Sequence, residues 1–361
     1  MLKNRDNIMH IWIRAEVRDF EKRVGITPEI VTQLIAAGFE ITVEESEHRA
    51  IPIKDYQNSG AKIAAENSWQ NAPKDALIFG LKELPEKINT LKHRHIMFGH
   101  AYKGQEGAKK LLDKFKNGGG SLYDLEYLLD KNNSRIAAFG YWAGFAGAAV
   151  GLKVWLHQKT NLSLGPKQIN VYSGRDELVR ELEIEFESDS LRKHKKPNII
   201  VIGALGRVGK GATELAKNLG LKVTNWDINE TKQGGPFPEI LNHNIFINCI
   251  LARPGVPIFV PSSAINTSRE LSVISDVSCD PDSPYNPIPI YNTATSFANP
   301  VIRVSDKKTP LDVTAIDNLP SMLPVESSKD FAAQLLPTLF ELKNINQGVW
   351  ANAHEIYLKH L

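Results

Sequence analysis

Residues 197 to 231, PNIIVIGALGRVGKGATELAKNLGLKVTNWDINET, leave the chain little freedom. The apolar run Asn198 to Ile202 reads as a buried strand, the glycines after it as a tight turn, and the segment to Leu219 as a helix stopped by Gly220. Lys222 to Trp226 reads as the next strand and ends at Asp227. This is the layout of a dinucleotide-binding unit, in which glycines let backbone approach a pyrophosphate and a helix N-terminus meets its charge. Gly203, Gly206 and Gly209 are spaced G-x-x-G-x-x-G, with Ala204 where the usual first glycine would stand. A glycine triplet alone is a weak signal; strand before, helix after and an acid at the next strand's end strengthen it. Asp227 suits both ribose hydroxyls and would repel a 2′-phosphate, which favours NAD over NADP.

The same alternation runs through the rest of the chain. IWIRAE, FEITVEE, ALIFGLKE, RHIMFGHAYK and SLYDLEYL read as strands, with helices through EIVTQLIAA and EGAKKLLDKFK. NIFINCI (244 to 250), ELSVISDVS (270 to 278) and TPLDVTAID (309 to 317) continue the second half, and DPDSPYNPIPIY is too rich in proline for regular helix. Strands joined by helices imply largely parallel sheets with helices on both faces. The expected fold is α/β, two Rossmann-like domains with the active site in the interdomain cleft. The terminal helical segments after Pro324 should pack back on the first domain. The expected division is therefore 1–138 plus 324–361 for substrate and catalysis, and 139–323 for NAD.

At 361 residues, 42% hydrophobic and 23% charged, with a net charge of +2, the chain has the composition of a globular protein and lacks the basic excess of a nucleic-acid coat. RKHKK (192 to 196) reads as a solvated interdomain loop. Two cysteines, Cys249 and Cys279, give no disulfide framework and suit a reducing compartment. IAAFGYWAGFAGAAVGL (136 to 152) is uncharged, with GxxxG spacings at Gly140/Gly144 and Gly147/Gly151. It reads as a buried helix whose small residues admit close neighbours, with a membrane helix as the minority alternative. HRH at 93 to 95 has poor zinc spacing, so no metal is expected.

In parallel sheets ligands bind beyond the carboxyl ends of the strands. Arg14 and Glu16, Lys82 and Glu83, His100 and Lys103, and Asp124 and Glu126 all fall at such ends. A solvated turn explains any one pair; four pairs on one rim suggest a site. Leu251, Ser278 to Asp280 and Asp317 end strands of the second half and are candidate ligand contacts. A dehydrogenase acting on a C–N or C–O bond needs a base, and Lys82 becomes one if burial and neighbouring cations lower its pKa. His100 titrates near neutrality and suits proton traffic in a hydrolytic step. Arg14, Arg18, Arg23, Lys103 and Arg135 supply enough cations for a substrate with two or three carboxylates.

The ordered motifs RAE, EKRVGITPE, FGLKELP, GHAYKGQ, LYDLE, RIAAFGYWAGFAGAA, IGALGRVGKGA, NPIPIY and DNLPSMLP, spread nearly end to end, closely resemble the NAD-dependent, lysine-forming saccharopine dehydrogenases. The resemblance implies reversible oxidation of saccharopine to L-lysine and 2-oxoglutarate, with hydride passing to NAD and the imine then hydrolysed. It implies Lys82 as proton acceptor, His100 as proton donor, and Glu83 and Glu126 as the carboxylates that tune them. It assigns Arg23, Lys103, Gln105, Arg135 and Phe139 to the substrate, to which Arg18, Ser278, Cys279 and Asp280 are added. Gly203, Gly206, Arg207, Gly209, Asp227, Thr231, Leu251, Val277, Ile316, Asp317, Asn318 and Leu319 would line the NAD site. The chain departs from the familiar pattern at Ser134, where an arginine is familiar, at Arg18, where a lysine is, and at Val208, which leaves Cys249 no cysteine partner in the glycine loop. A monomer in the cytoplasm, with small-molecule partners and neither nucleic acid nor membrane, completes the expectation. An alanine-dehydrogenase-like enzyme, which needs fewer cations, and a non-catalytic NAD-binding sensor are the alternatives.

Overall fold

The computed structural model describes residues 8–18, 20–104, 107–160 and 165–361. It divides into two compact units, Met1–Ala138 with Pro324–Leu361, and Phe139–Leu323.

In the first unit β1 (His10–Ile13), β2 (Glu40–Glu44), β3 (Lys62–Ala64), β4 (Leu77–Phe79), β5 (Arg94–Met97) and β6 (Ser121–Asp124) form a sheet in the order β3-β2-β1-β4-β5-β6. Every pairing is parallel. The order reverses direction between β1 and β4, and such a switch point opens a crevice at the carboxyl ends. Ile11, Ile78 and Ile96 are fully buried, as central strands covered on both faces require. The helix Pro28–Ala36 begins with proline at its first position and presents Ile30, Val31 and Leu34 to the interior. The C-terminal helix Gly348–His360 lays Trp350 and Tyr357 against β6, where the Tyr357 hydroxyl donates to the Gly120 carbonyl at 3.2 Å.

The second unit holds β7 (Asn198–Ile202), β8 (Lys222–Trp226), β9 (Ile245–Asn248), β10 (Val273–Asp276), β11 (Ile302–Ser305) and β12 (Leu311–Thr314) in the order β11-β12-β10-β9-β7-β8. All pair in parallel except β11, an antiparallel edge strand. The basic run 192–196 is exposed and lies inside this unit, between the helix Arg175–Glu187 and β7. It is not an interdomain connection: the chain needs a solvated loop there to return from that helix to the sheet.

The uncharged segment forms the helix Gly140–Thr160, buried from Gly144 to Leu156. Its small residues face the helix Arg207–Asn218. A Cβ on Gly144 would lie 1.8 Å from the Val208 carbonyl oxygen, and one on Gly211 would lie 1.9 Å from that of Tyr141. The glycines therefore set how closely these two backbones approach. Among the described residues no helix is long and apolar enough to cross a membrane. Gly144→Ala is expected to force the helices apart and to destabilise the second unit by about 1–3 kcal/mol or more, read as a lower midpoint of thermal or urea unfolding.

Candidate active site

The first unit gathers the ionisable groups in two clusters on the carboxyl edge of its sheet. β1 is followed directly by Arg14, which is buried, and Glu16 reaches the turn after β4. Glu16 Oε1 accepts the Leu81 N–H at 2.6 Å and its Oε2 the Lys82 N–H at 2.9 Å. Arg14 donates from Nη2 to the Lys82 carbonyl oxygen. Further along, Glu21 and Arg23 form a buried pair, with Arg23 Nε and Nη2 donating to the two Glu21 oxygens at 2.8 and 2.6 Å. Arg18 Nη1 lies 3.7 Å from Glu83 on the exposed side, a pair worth little in solvent.

These charges act on Lys82. Burial lowers its pKa, the charges of Arg23 and Arg18 lower it further, and Glu21 and Glu83 oppose them. Glu21 is itself pushed up by burial, but the charge and hydrogen bonds of Arg23, aided by Lys82, outweigh this and hold it below the usual range.

The second cluster centres on Glu126, whose side chain is 9% exposed. β6 ends in a single turn of 3-10 helix, Leu125–Tyr127, capped by Asp124, whose Oδ1 accepts the Glu126 N–H at 2.9 Å. Lys103 Nζ donates to Glu126 Oε1 at 2.7 Å, Arg135 Nη2 donates to the same oxygen, and His100 Nδ1 lies 3.7 Å from Oε2. Burial pushes the Glu126 carboxyl up, but the Lys103 hydrogen bond and the charges of Arg135, Lys103 and His100 bring it below its ordinary value. Burial raises Asp124 to about 6 despite backbone N–H bonds from Glu126 and Gly99. Arg135 is delivered by a tight loop in which Asp130 Oδ1 accepts the Asn132 and Ser134 N–H groups at 2.8 and 2.9 Å and Leu129 bridges to Arg135.

His100 has φ of 48°. A non-glycine residue in the left-handed region costs about 1–3 kcal/mol and commonly marks a functional loop. Its ring stacks on Phe98 at 6.2 Å and remains 47% exposed. Partial desolvation and the Lys82 charge lower its pKa, against Glu126 and Glu83, and Arg135 lowers it slightly more. The neutral imidazole therefore persists to lower pH than that of an ordinary histidine. The HRH histidines lie elsewhere: His93 Nε2 is 3.1 Å from the Ala72 carbonyl oxygen, and His95 is buried between Trp69 and Phe115. Gln105 lies outside the described residues.

In the second unit Gly203 has φ of +86°, and its Cβ would lie 3.0 Å from the Cys249 carbonyl oxygen. A Cβ on Gly209 would lie 2.2 Å from the Gly203 oxygen, so both glycines keep strand, turn and helix together. Gly206 caps the helix Arg207–Asn218 with no side chain over its first amides. Asp227 accepts the Leu205 N–H at 3.0 Å and the Ile228 N–H at 2.9 Å. A carboxylate has about four lone-pair sites, which leaves capacity for sugar hydroxyls. Beside Asp227 opens a cavity of about 940 Å³ lined by Ile228, Thr231, Ile250, Arg253 and Val256 among others, and Leu251 is exposed near the start of the loop after β9. A nucleotide held here would meet the Asp227 carboxylate with its sugar and the uncapped helix end at Gly206 with its phosphates.

Val277 and the Ser278–Asp280 loop leave β10 above Asp276, whose Oδ1 accepts the Ser278 N–H at 3.1 Å. Cys279 has φ of 54°, and burial raises its thiol to about 12. Cys249 is likewise raised by burial, and both thiols are free. Neither acts as a nucleophile at neutral pH. Ile316 bridges to Thr295 beyond β12, and Leu319 opens the 3-10 turn that follows Asn318. Phe139 begins the second unit, one residue before the helix Gly140–Thr160.

Sequence reasoning singled out neither Glu21 nor Glu44, although both organise the first rim. Glu44 accepts from the Ala15, Asn67 and Trp69 amides at 2.8, 3.1 and 2.6 Å. For Glu44, which ends β2, position at a strand's carboxyl end was the available signal; Glu21 lies in no strand, and burial is what a single sequence conceals.

Comparison with known proteins agrees with this layout. The alanine dehydrogenase/PNT N-terminal domain family matches residues 12–146. A solved L-alanine dehydrogenase superposes with a TM-score of 0.68 at 18% identity, covering 98% of this chain and 94% of that one, which shows a shared fold. Saccharopine dehydrogenase [NAD(+), L-lysine-forming] of Schizosaccharomyces pombe is 46% identical over 96% of this chain and 97% of its own length. Its counterpart from Candida albicans is 44% identical over 98% and 97%. The chain belongs to the L-lysine-forming saccharopine dehydrogenase family.

Proposed function

We propose that the protein oxidises saccharopine with NAD to L-lysine and 2-oxoglutarate, reversibly. The observation that carries this reading is the pairing of a lysine whose pKa is depressed with a separate His100–Glu126 cluster, both set among cations on one sheet edge. NAD bound at Gly203, Gly206, Gly209 and Asp227 supplies the hydride acceptor, with Thr231, Leu251, Val277 and the Ile316–Leu319 segment lining its site.

The chain's own groups handle protons and charge. Lys82, uncharged, accepts the proton of the substrate's secondary amine as the C–H bond breaks, leaving an imine. His100 accepts a proton from the water that adds to the imine carbon and returns one to the departing lysine amine. Glu126 holds His100 and fixes Lys103 and Arg135 around itself. Arg18, Arg23, Lys103 and Arg135 offset the substrate's carboxylates, and Phe139 and the Ser278–Asp280 loop contact its chain. Four cations, Arg18, Arg23, Lys103 and Arg135, suit three carboxylates better than the single one of alanine. The two free, unreactive thiols suit a reducing compartment, and we place a monomer in the cytoplasm.

Purified protein is expected to form NADH with saccharopine and not with alanine. Turnover of alanine alone would transfer the assignment to an alanine-dehydrogenase-like enzyme, and NAD binding with no turnover of either would favour a sensor.

A further inference from the structure

The Lys82 main chain is held on both sides by side chains far away in sequence. β4 ends at Phe79, and the amides of Leu81 and Lys82 donate to Glu16, 65 and 66 residues earlier. The Lys82 carbonyl accepts from Arg14, 68 residues earlier. Arg14 and Glu16 are themselves fixed. The Arg14 N–H donates to the Phe79 carbonyl at 2.9 Å, and the Ala15 N–H between them donates to Glu44 at 2.8 Å. Space for the guanidinium exists because residue 80 is glycine: a Cβ there would lie 2.3 Å from Arg14 Nε.

We propose that Glu16 is a positioning residue for the reaction, holding the Lys82 backbone through two amide bonds so that the amine stays within the field of its charged neighbours. The inference rests on the functional reading above and adds a residue that touches neither substrate nor cofactor. A backbone amide bonded to a carboxylate is worth more than a neutral hydrogen bond, because the acceptor carries charge. A displacement of about 1 Å of a reacting group costs on the order of 10²-fold in rate. The groups facing Lys82 are Arg18, Arg23 and Glu21 from the segment after β1, Glu83 beside it and His100 from the loop after β5. Burial and the two arginines dominate, so an amine released from this place regains solvent and its affinity for protons rises.

Glu16→Gln tests the proposal. An amide has one oxygen to offer where the carboxylate had two, and its NH₂ group meets an N–H. The expected result is a loss of about 10–100-fold in kcat for saccharopine with KM for NAD within about twofold of wild type. The limb of the pH–rate profile that needs neutral Lys82 should shift to higher pH. In a double-mutant cycle, Glu16→Gln should add no loss to Lys82→Met, because its effect passes through the amine. An unmoved limb, or losses that multiply, would overturn the proposal and leave Glu16 a structural residue only.

A second readout needs no turnover. Reductive methylation of Lys82, followed by mass spectrometry across pH, should show its midpoint higher in Glu16→Gln than in wild type, and an equal midpoint would sink the inference. Because this measurement uses neither saccharopine nor NAD, it separates failure of the positioning role from failure of the assigned reaction. Should Glu16→Gln not fold, Glu16→Asp keeps the charge, withdraws it by one methylene, and carries the same expectations.

Discussion

Lys82→Met is expected to lower kcat for saccharopine oxidation by about 10²–10⁴-fold, the range a positioned proton acceptor contributes. Methionine keeps an unbranched side chain of similar reach and removes the amine, so KM for NAD should stay near its wild-type value. The pH profile gives the sharper check. Lys82 works as the free base, and burial with the Arg23 and Arg18 charges lowers its pKa. A lowered amine pKa means the neutral form persists to lower pH than in an ordinary lysine. In the wild type the rate therefore falls as pH drops through that value, and in Lys82→Met this limb disappears. A His100 limb, also displaced downward from the ordinary imidazole value by desolvation and the Lys82 charge, should remain. Wild-type kcat in the variant would remove Lys82 from the mechanism.

The other large effect concerns cofactor choice. Asp227→Asn keeps a side chain able to cap the short helix Ile228–Thr231, yet it loses the negative charge that the proposed NAD site would turn toward the ribose. Hydrogen bonds to a charged group are worth about 1.5–3 kcal/mol, so kcat/KM for NAD should fall roughly 10–100-fold. Relative use of NADP should rise because repulsion of the 2′-phosphate is gone, while KM for saccharopine stays level. Unchanged discrimination between the two cofactors would show that Asp227 serves only its backbone contacts with Leu205 and Ile228.

The α/β class was legible because central parallel strands are buried on both sides and so appear as unbroken apolar runs. NIIVI and IFIN are the clearest, and the neighbouring strands β7 and β9 pair along them. Edge elements carry no such pattern. β3 is three residues long with a partly exposed face, and β11 is a half-buried antiparallel strand with a register shift at Arg303/Ser305. Neither is legible in the sequence, nor is the helix Arg175–Glu187, whose buried side is only Leu178 and Leu182.

Strand ends were overextended for a different reason. The run ALIFGLKE suggests pairing through Glu83, but the amides of residues 81 and 82 are taken by a carboxylate from beyond β1. Local patterning has no means of revealing a bond made across 65 residues. The ionisable residues of the rim could be picked out by type and position alone. Which of them touch could not: His100 and Lys103 from the loop after β5 and Arg135 from the loop before the helix Gly140–Thr160 converge on Glu126 through sheet order.

The interrupted course of the first unit bears on synthesis. Translation delivers β6 early, but the segment that covers it, with Trp350 and Tyr357, emerges only after the whole of Phe139–Leu323. On the ribosome the inserted unit can finish folding while its host waits with an uncovered sheet edge, the kind of surface that recruits other nascent chains. Ribosome stalling before residue 348 should thus yield a species with the glycine-loop unit formed and the lysine-bearing unit still dependent on chaperones.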